Sequence, residues 1–181
     1  MNDGSPAALI GARIRAVRRE RGLALGVLAA KAGIGKGSLS ELENGTRNPN
    51  LSTLYAIVAA LDVPMSTLLA ERPGTGVSSP GIDTLLLDTQ HRADGVTIET
   101  YRIHLDAGAE HLSEGHGRGV VEQLLVTTGR AAVGPWRGPI EVGEGELAEW
   151  EARGRHLYRA LDDGPVEAVL VIRWTRSARS S

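Results

Sequence analysis

Between Glu71 and Gly81 the chain reads Glu-Arg-Pro-Gly-Thr-Gly-Val-Ser-Ser-Pro-Gly, two prolines and three glycines in eleven residues. Proline withholds a backbone donor and glycine loses the most freedom on ordering. The stretch therefore opposes helix and ladder alike and reads as a linker. It separates two hydrophobic rhythms. Before it, Ile10, Ile14 and Val17 share one helical face, and Leu51, Leu54, Val58 and Leu61 share another at spacings of 3, 4 and 3. Shorter helices fit Leu25–Lys31, Lys36–Glu43 and Met65–Ala70, with turns at Gly22, Gly33, Gly45 and Pro49. After it come short, often β-branched runs: Thr84–Leu87, Val96–Leu105, Glu122–Thr127, Ala131–Val133, Ile140–Val142, Leu147–Trp150, His156–Ala160 and Val166–Trp174. Gly, Pro and Asp separate these runs about every ten residues, as in an antiparallel sandwich or barrel. The expected organisation is a helical domain over 1–71, a linker over 72–82, a β domain over 83–175 and a polar tail over 176–181.

Charge divides at the same place. Residues 1–72 carry 9 basic and 6 acidic side chains, net +3, whereas residues 73–181 carry 11 and 16, net −5. A basic first part beside an acidic remainder points to a polyanion partner for the first part alone. Cysteine is absent, which excludes disulfides, thiolate zinc sites and cysteine nucleophiles and agrees with a reducing cytoplasm. Phe is also absent, so the cores are built from Val, Leu, Ile and Ala. The longest apolar runs fall short of the roughly 18 to 20 residues of a membrane span. Leu9-Ile10 is followed by Arg13, Arg15, Arg18 and Arg19, which is not the layout of a signal peptide. A cytoplasmic protein with no membrane partner is expected.

The segment Leu28–Gly45 has a specific physical logic. Two helices cross closely only where the contact residue is small, as Ala29 is, and the tight turn needs a residue tolerant of positive φ, as Gly33 is. Leu28, Ile34, Leu39 and Leu42 then point into a shared core, and Lys36, Gly37, Ser40 and Glu41 stay outward where a major groove can receive them. From about Ile10 to Ala70 the chain resembles the lambda-repressor-like (XRE-type) helix-turn-helix domain of five short helices. The features that carry the resemblance are Arg18, Gly22-Leu23, Leu28-Ala29, Ala32-Gly33-Ile34, Leu42-Glu43-Asn44-Gly45, Arg47-Asn48-Pro49 and the Leu51–Leu61 helix.

That resemblance implies a sequence-specific transcription regulator, usually a repressor. It places Lys36, Gly37 and Glu41 at base edges, with Ser38 and Ser40 as polar neighbours and Asn44, Arg47 and Asn48 near phosphates. It also implies that Arg18 and Glu43 form a partly buried ion pair tying the first helix to the third. One departure stands out: Leu25 holds the place where the family often has a DNA-contacting Gln. Because one recognition helix reads only a few base pairs, a homodimer on an inverted repeat of double-stranded DNA is expected.

In the β region, a barrel brings inward residues of several strands together, and His116, Glu122 and His156 are the candidates. Two imidazoles and a carboxylate suit zinc, iron or manganese. Residues 83–174 resemble the cupin fold, an antiparallel jelly-roll barrel, through degenerate motifs. His116, Glu122 and Gly129 keep the spacing of the first motif, with Arg118 in place of its second His; Gly145 and His156 match the second, with Glu151, Arg153 and Ala160 in place of its Pro, Gly and Asn. Arg118 cannot ligate a metal but can pair with Glu122 or clamp a carboxylate ligand.

Three readings stay open for this domain: a metal site, an organic-ligand pocket without metal, and a dimerisation domain alone. Tyr101, Arg102, His116, Arg118, Glu122, Trp150 and His156 are the candidate pocket residues. His104 and His111 lie off the motif spacing and are read as bystanders, and Trp136, Trp150 and Trp174 as core or dimer-interface residues. The leading function is a repressor whose cupin domain senses a small molecule and which is not an enzyme. The alternatives are a metal-dependent cupin enzyme with a DNA-binding appendage, and an antitoxin-like or controller-like DNA binder with a protein partner.

Overall fold

The computed structural model describes residues 6–69, 73–117 and 119–175. Five helices come first: α1 (Pro6–Glu20), α2 (Leu25–Lys31), α3 (Lys36–Glu43), α4 (Leu51–Leu61) and α5 (Met65–Leu68). Ala70, the expected end of the fifth helix, lies outside the described residues. The turn between α2 and α3 is made by Gly33 at φ +64°, the left-handed conformation its position demands. Asn50 caps α4 by accepting the Thr53 N–H at 2.8 Å, and Asp62 closes that helix in the left-handed region. Ile14, Leu28, Leu39, Leu54, Ile57 and Val58 are fully buried and form the core. Ile34 is only half-buried, and α4 also buries Tyr55 and Ile57, so its apolar face is broader than the expected stripe.

The approach of α1 to α3 depends on Gly11. A Cβ placed there would run into the Leu42 carbonyl oxygen. Gly45, at φ +70°, is similarly tight: a Cβ there would lie 2.7 Å from Ala8 Cα. Two glycines thus let the first helix lie against the end of the third.

The remainder is ten strands: β1 (Gly76–Ser79), β2 (Ile82–His91), β3 (Val96–Leu105), β4 (Glu110–Ser113), β5 (Val120–Thr128), β6 (Ala131–Pro135), β7 (Ile140–Val142), β8 (Leu147–Glu151), β9 (His156–Ala160) and β10 (Val166–Thr175). They form an antiparallel six-stranded sheet, β1-β2-β3-β10-β5-β8, and an antiparallel four-stranded sheet, β4-β9-β6-β7. From β3 onward most connections cross from one sheet to the other, a jelly-roll winding. Among the described residues the two sheets share no ladder, so the expected barrel is an open two-sheet one.

The chain divides into two compact units, Met1–Glu71 and Arg72–Ser181. The expected linker over 72–82 is corrected in its second half. Gly76–Ser79 is a strand, paired with Ile82–Leu85 around a turn at Pro80-Gly81, and Thr84 Oγ1 donates to the Val77 carbonyl at 3.0 Å. Gly and Pro there shape a hairpin, and edge position exempts the strand from pairing on both sides. β4 has no counterpart among the expected strands.

Alternation sets what faces inward. On β10, Val166, Ala168, Leu170, Ile172 and Trp174 are buried, and on β5, Val120, Glu122, Leu124 and Val126 are buried. Glu122 therefore sits in an apolar inner face. Cross-strand register places Trp150, Glu122, Ile172 and Glu99 in one row across four strands. On the outer face His104 Nδ1 meets Glu167 Oε1 at 2.6 Å, away from that row.

Gly11→Ala should push α1 off α3. Overpacking of this kind costs about 1–3 kcal/mol, and a clash with backbone leaves little room for relaxation. The expected result is a lower melting temperature for the helical unit, read by circular dichroism, with DNA affinity falling in parallel.

Candidate nucleic-acid interface and metal centre

The outward face of α3 begins at its first residue. Lys36, Gly37 and Glu41 are exposed, Ser38 and Ser40 are half-buried, and Leu39, Leu42 and Glu43 turn inward. Asn44, Arg47 and Asn48, in the loop that follows, are exposed. A cleft of about 210 Å³ joins Ser38 to Arg47, Asn48, Pro49 and Asn50. Arg47 bridges the two segments, donating to Ser38 Oγ at 3.2 Å and lying 3.5 Å from Glu41 Oε2. Glu41 is thus partly screened by a cation, a pairing that sequence spacing does not show. Asn44 accepts from Arg15 through its side-chain oxygen. Leu25, the departure from the family pattern, is half-buried.

Glu43 fixes the angle at which this face is held. Its carboxylate is buried and accepts two bonds from Arg18, Nε to Oε1 at 2.6 Å and Nη2 to Oε2 at 2.8 Å. Arg18 also donates to the Leu23 carbonyl at 2.9 Å, and Arg15 Nε lies 3.4 Å from Glu43 Oε2. Bonding to Glu43 pushes the Arg18 guanidinium pKa up. The fork joins α1, the turn before α2 and the end of α3 in one network.

Inside the β domain, His116, Glu122 and His156 converge. Three ligand atoms, one from each, lie within 4.8 Å of one another, and all three residues are buried. His116 Nε2 is 2.8 Å and His156 Nε2 3.5 Å from Glu122 Oε1. The three come from β5, from the start of β9 and from the loop between β4 and β5. That loop is brought in by Gly115, where a Cβ would collide with the Arg153 carbonyl and lie 2.9 Å from Gly154 Cα. The His116 N–H then donates to the Ala152 carbonyl at 2.7 Å.

The surrounding bonds set the ligand atoms. Tyr158 donates to Glu122 Oε2 at 2.6 Å, so Oε1 faces the two imidazoles. His156 Nδ1 bonds the Gly154 carbonyl at 3.1 Å, which puts its proton there and leaves a lone pair on Nε2. Burial alone would push the Glu122 carboxyl up, but His156, His116 and the bonds from His116 and Tyr158 outweigh it and hold the group below its ordinary value. Burial pushes the His156 imidazole down, against the attraction of Glu122 and with the repulsion of His116. A carboxylate beside a neutral imidazole is the protonation state a divalent cation requires. The buried His156 Nε2, without a hydrogen-bond partner among the described residues, fits the same role.

Other candidates fall differently. Tyr101 and Trp150 are buried on the inner face, and Trp150 lies 6.2 Å from His156 between ring centroids. Arg102 is corrected: it is exposed because β3 alternates, and the step that turns Tyr101 inward turns its neighbour out. Arg118 lies outside the described residues. His111 also lies inside the β domain. It is buried on β4 opposite Tyr158, and burial together with the charge of His156 pushes its pKa down. Trp174 is buried, packs 5.7 Å from His116 and donates from Nε1 to the buried Glu99 at 2.8 Å. Trp136 is instead exposed beside Arg155. Tyr158, Glu99 and Ser113 escaped the sequence reading; for Tyr158 the available signal was its place two residues after His156, on the same face of a strand.

Comparison with known proteins identifies the helical unit and a shared fold for the chain as a whole. The HTH_3 family, described as Helix-turn-helix, matches residues 14–68. The chain is 37% identical over 102 residues to the HTH-type transcriptional regulator SinR of Bacillus licheniformis, covering 54% of this chain and 90% of that protein. It is 27% identical over 177 residues to the HTH-type transcriptional regulator SutR of Escherichia coli K12, covering 94% of this chain and 98% of that one. A crystal structure of an HTH_3 family transcriptional regulator from Vibrio cholerae shares the fold, with a TM-score of 0.82, 24% identity, and coverage of 94% of this chain and 97% of that one.

The molecule is therefore a DNA-binding helix-turn-helix protein joined to an antiparallel two-sheet β domain. The chain belongs to the HTH_3, or XRE-type, family of transcriptional regulators. No described helix is long and apolar enough to cross a membrane.

Two outcomes test the local geometry. Glu43→Ala leaves Arg18 without its partner in a half-buried setting, a loss of about 3–5 kcal/mol. Melting temperature should drop while base preference, measured below the new transition, stays as in wild type. Gly115→Ala touches no ligand atom, yet should displace His116. Zinc affinity, read by competition with a chromogenic chelator, should fall about 10–100-fold, the range for a supporting residue.

Proposed function

We propose that this chain is a homodimeric repressor that reads an inverted-repeat operator through α3 and that its β domain senses a small molecule at a divalent metal. The observation that carries the DNA half is the outward set Lys36, Gly37 and Glu41, flanked by Ser38, Ser40, Asn44, Arg47 and Asn48. Lys36 donates to guanine O6 or N7, and Glu41 accepts from cytosine N4 or rejects wrong bases. Arg47 and Asn48 hold phosphates. Two copies of α3 about 34–36 Å apart meet two half-sites one turn apart.

In the β domain, His116, Glu122 and His156 would hold zinc, iron or manganese. Such an ion supplies a coordination position for an oxygen or nitrogen donor of the effector. The effector would then favour one arrangement of the two α3 helices over another, and operator affinity would change by the difference in its affinity for the two states.

A second reading draws on the same three residues, though Arg118 stands where the resemblance would place a fourth ligand: a metal-dependent enzyme carrying a DNA-binding unit. Elemental analysis and operator binding separate the two. A regulator changes its operator affinity when the metal is removed and restored; an enzyme with an appendage keeps that affinity constant.

Selection from random duplexes with the intact protein should enrich an inverted repeat. Arg47→Ala should weaken binding evenly across sequences and reduce the slope of log affinity against log salt by about 1. Lys36→Ala should instead relax preference at one position of each half-site. Enrichment of no sequence would overturn the reading.

A further inference from the structure

Three polar atoms beside the triad lack hydrogen-bond partners among the described residues: Ser113 Oγ, Trp150 Nε1 and His111 Nε2. All three residues are more than nine-tenths buried, Ser113 completely. An unpaired polar atom in such a place costs about 1–3 kcal/mol, so three in one small region call for a physical reason.

Their positions share a focus. Ser113 and His156 are cross-strand partners, as are His111 and Tyr158. In each pair both side chains are buried on the same face, so they lie side by side. Trp150 is paired with Glu122, and its ring lies 6.2 Å from His156 and 6.0 Å edge-on from Tyr158. Gly134 on β6 also lies close to the indole, where a Cβ would come 3.5 Å from the ring. The indole is thus packed among His156, Tyr158 and Gly134.

The chemistry of these atoms restricts what completes them. An indole N–H only donates, and a serine hydroxyl donates or accepts as required. A group that satisfies both while lying beside two imidazoles and a metal must offer more than one acceptor oxygen. A carboxylate does so: it provides about four lone-pair directions and is itself a ligand for divalent metals. A cationic or donor-only molecule leaves the Trp150 N–H unpaired.

We infer that the β-domain interior takes a small organic carboxylate, one oxygen toward the His116–Glu122–His156 centre and the other receiving hydrogen bonds from Trp150 Nε1 and Ser113 Oγ. This deepens the proposed sensing role and rests on it. Trp150 and Ser113 become the residues that select the effector's charge, and His111 borders the same space.

The test uses full-length protein loaded with cobalt(II), in a buffer free of carboxylates, titrated with acetate and separately with methylammonium. Acetate should shift the cobalt visible bands saturably, and methylammonium should not. Ser113→Ala and Trp150→Phe should each weaken acetate about tenfold or more, the size expected for a hydrogen bond to a charged group, with affinity normalised to each variant's own cobalt occupancy. The two substitutions back each other up if one disturbs folding. No acetate response in cobalt-loaded protein, or equal acetate affinity in wild type and both variants, would overturn the inference and leave the metal centre standing. If cobalt is not retained, the metal reading fails instead. Tryptophan fluorescence of the metal-free protein then decides: an acetate response that Ser113→Ala weakens sustains the inference, and no response defeats it.

Discussion

The presentation of α3 depends on one buried carboxylate. Glu43 sits at the end of the recognition helix, accepts both arms of the Arg18 guanidinium, and has Arg15 beside it. Its neighbours on α3 are the apolar Leu39 and Leu42, which fix how deep the helix sits but slide more easily than a bidentate pair turns. Packing and ion pair together turn Lys36, Gly37 and Glu41 outward while Leu39 stays in the core. That is the physical condition for reading DNA: exposed side chains held at a set angle.

The same economy operates in the β domain through the strand period. Alternation puts every second residue of β5 inside, and one of those is Glu122 among Val120, Leu124 and Val126. A lone carboxylate in such a row is costly unless paired. The fold pairs it from three directions: Tyr158 from the facing sheet, His156 one strand step earlier, and His116 from a loop pressed close by Gly115. No two of these four residues are adjacent in sequence. The centre exists because the winding of the two sheets brings a loop and two strands to one spot.

Much of this was legible before any coordinates. Strong periods gave α1 to α4 and the longer strands, because six to ten residues of alternation or helical spacing outweigh local ambiguity. Gly33 announced its turn, and the spacing of His116, Glu122 and His156 announced a cluster. What stayed hidden has a common cause. β1 and β4 are four residues each, too short to show a period, and β1 lies in a Gly- and Pro-rich stretch that reads as linker until its partner strand is known. Missing β4 hid the inward set of His111 and Ser113. Arg102 was misplaced for the opposite reason: it neighbours Tyr101 in sequence, but a strand puts neighbours on opposite faces. Gly11 and Gly115 left no trace, since the space a missing Cβ opens is defined only by the chain that fills it.

Comparing two of the buried glutamates, Glu43 and Glu122, separates structure from binding. Glu43 has both oxygens held by the permanently charged Arg18, with Arg15 beside one of them. Glu122 has one oxygen held by a neutral phenol, while the other faces two imidazoles, one of which keeps an unpaired buried nitrogen. A cation in the first setting would have to displace Arg18. In the second it would meet lone pairs already gathered, on a carboxylate whose neighbours hold its pKa down against burial and on an imidazole that burial pushes down. Equal burial thus has opposite meanings, and the number of lone pairs left unspent decides between them. By that measure the helical unit keeps its unspent groups on its surface, and the β unit keeps them inside.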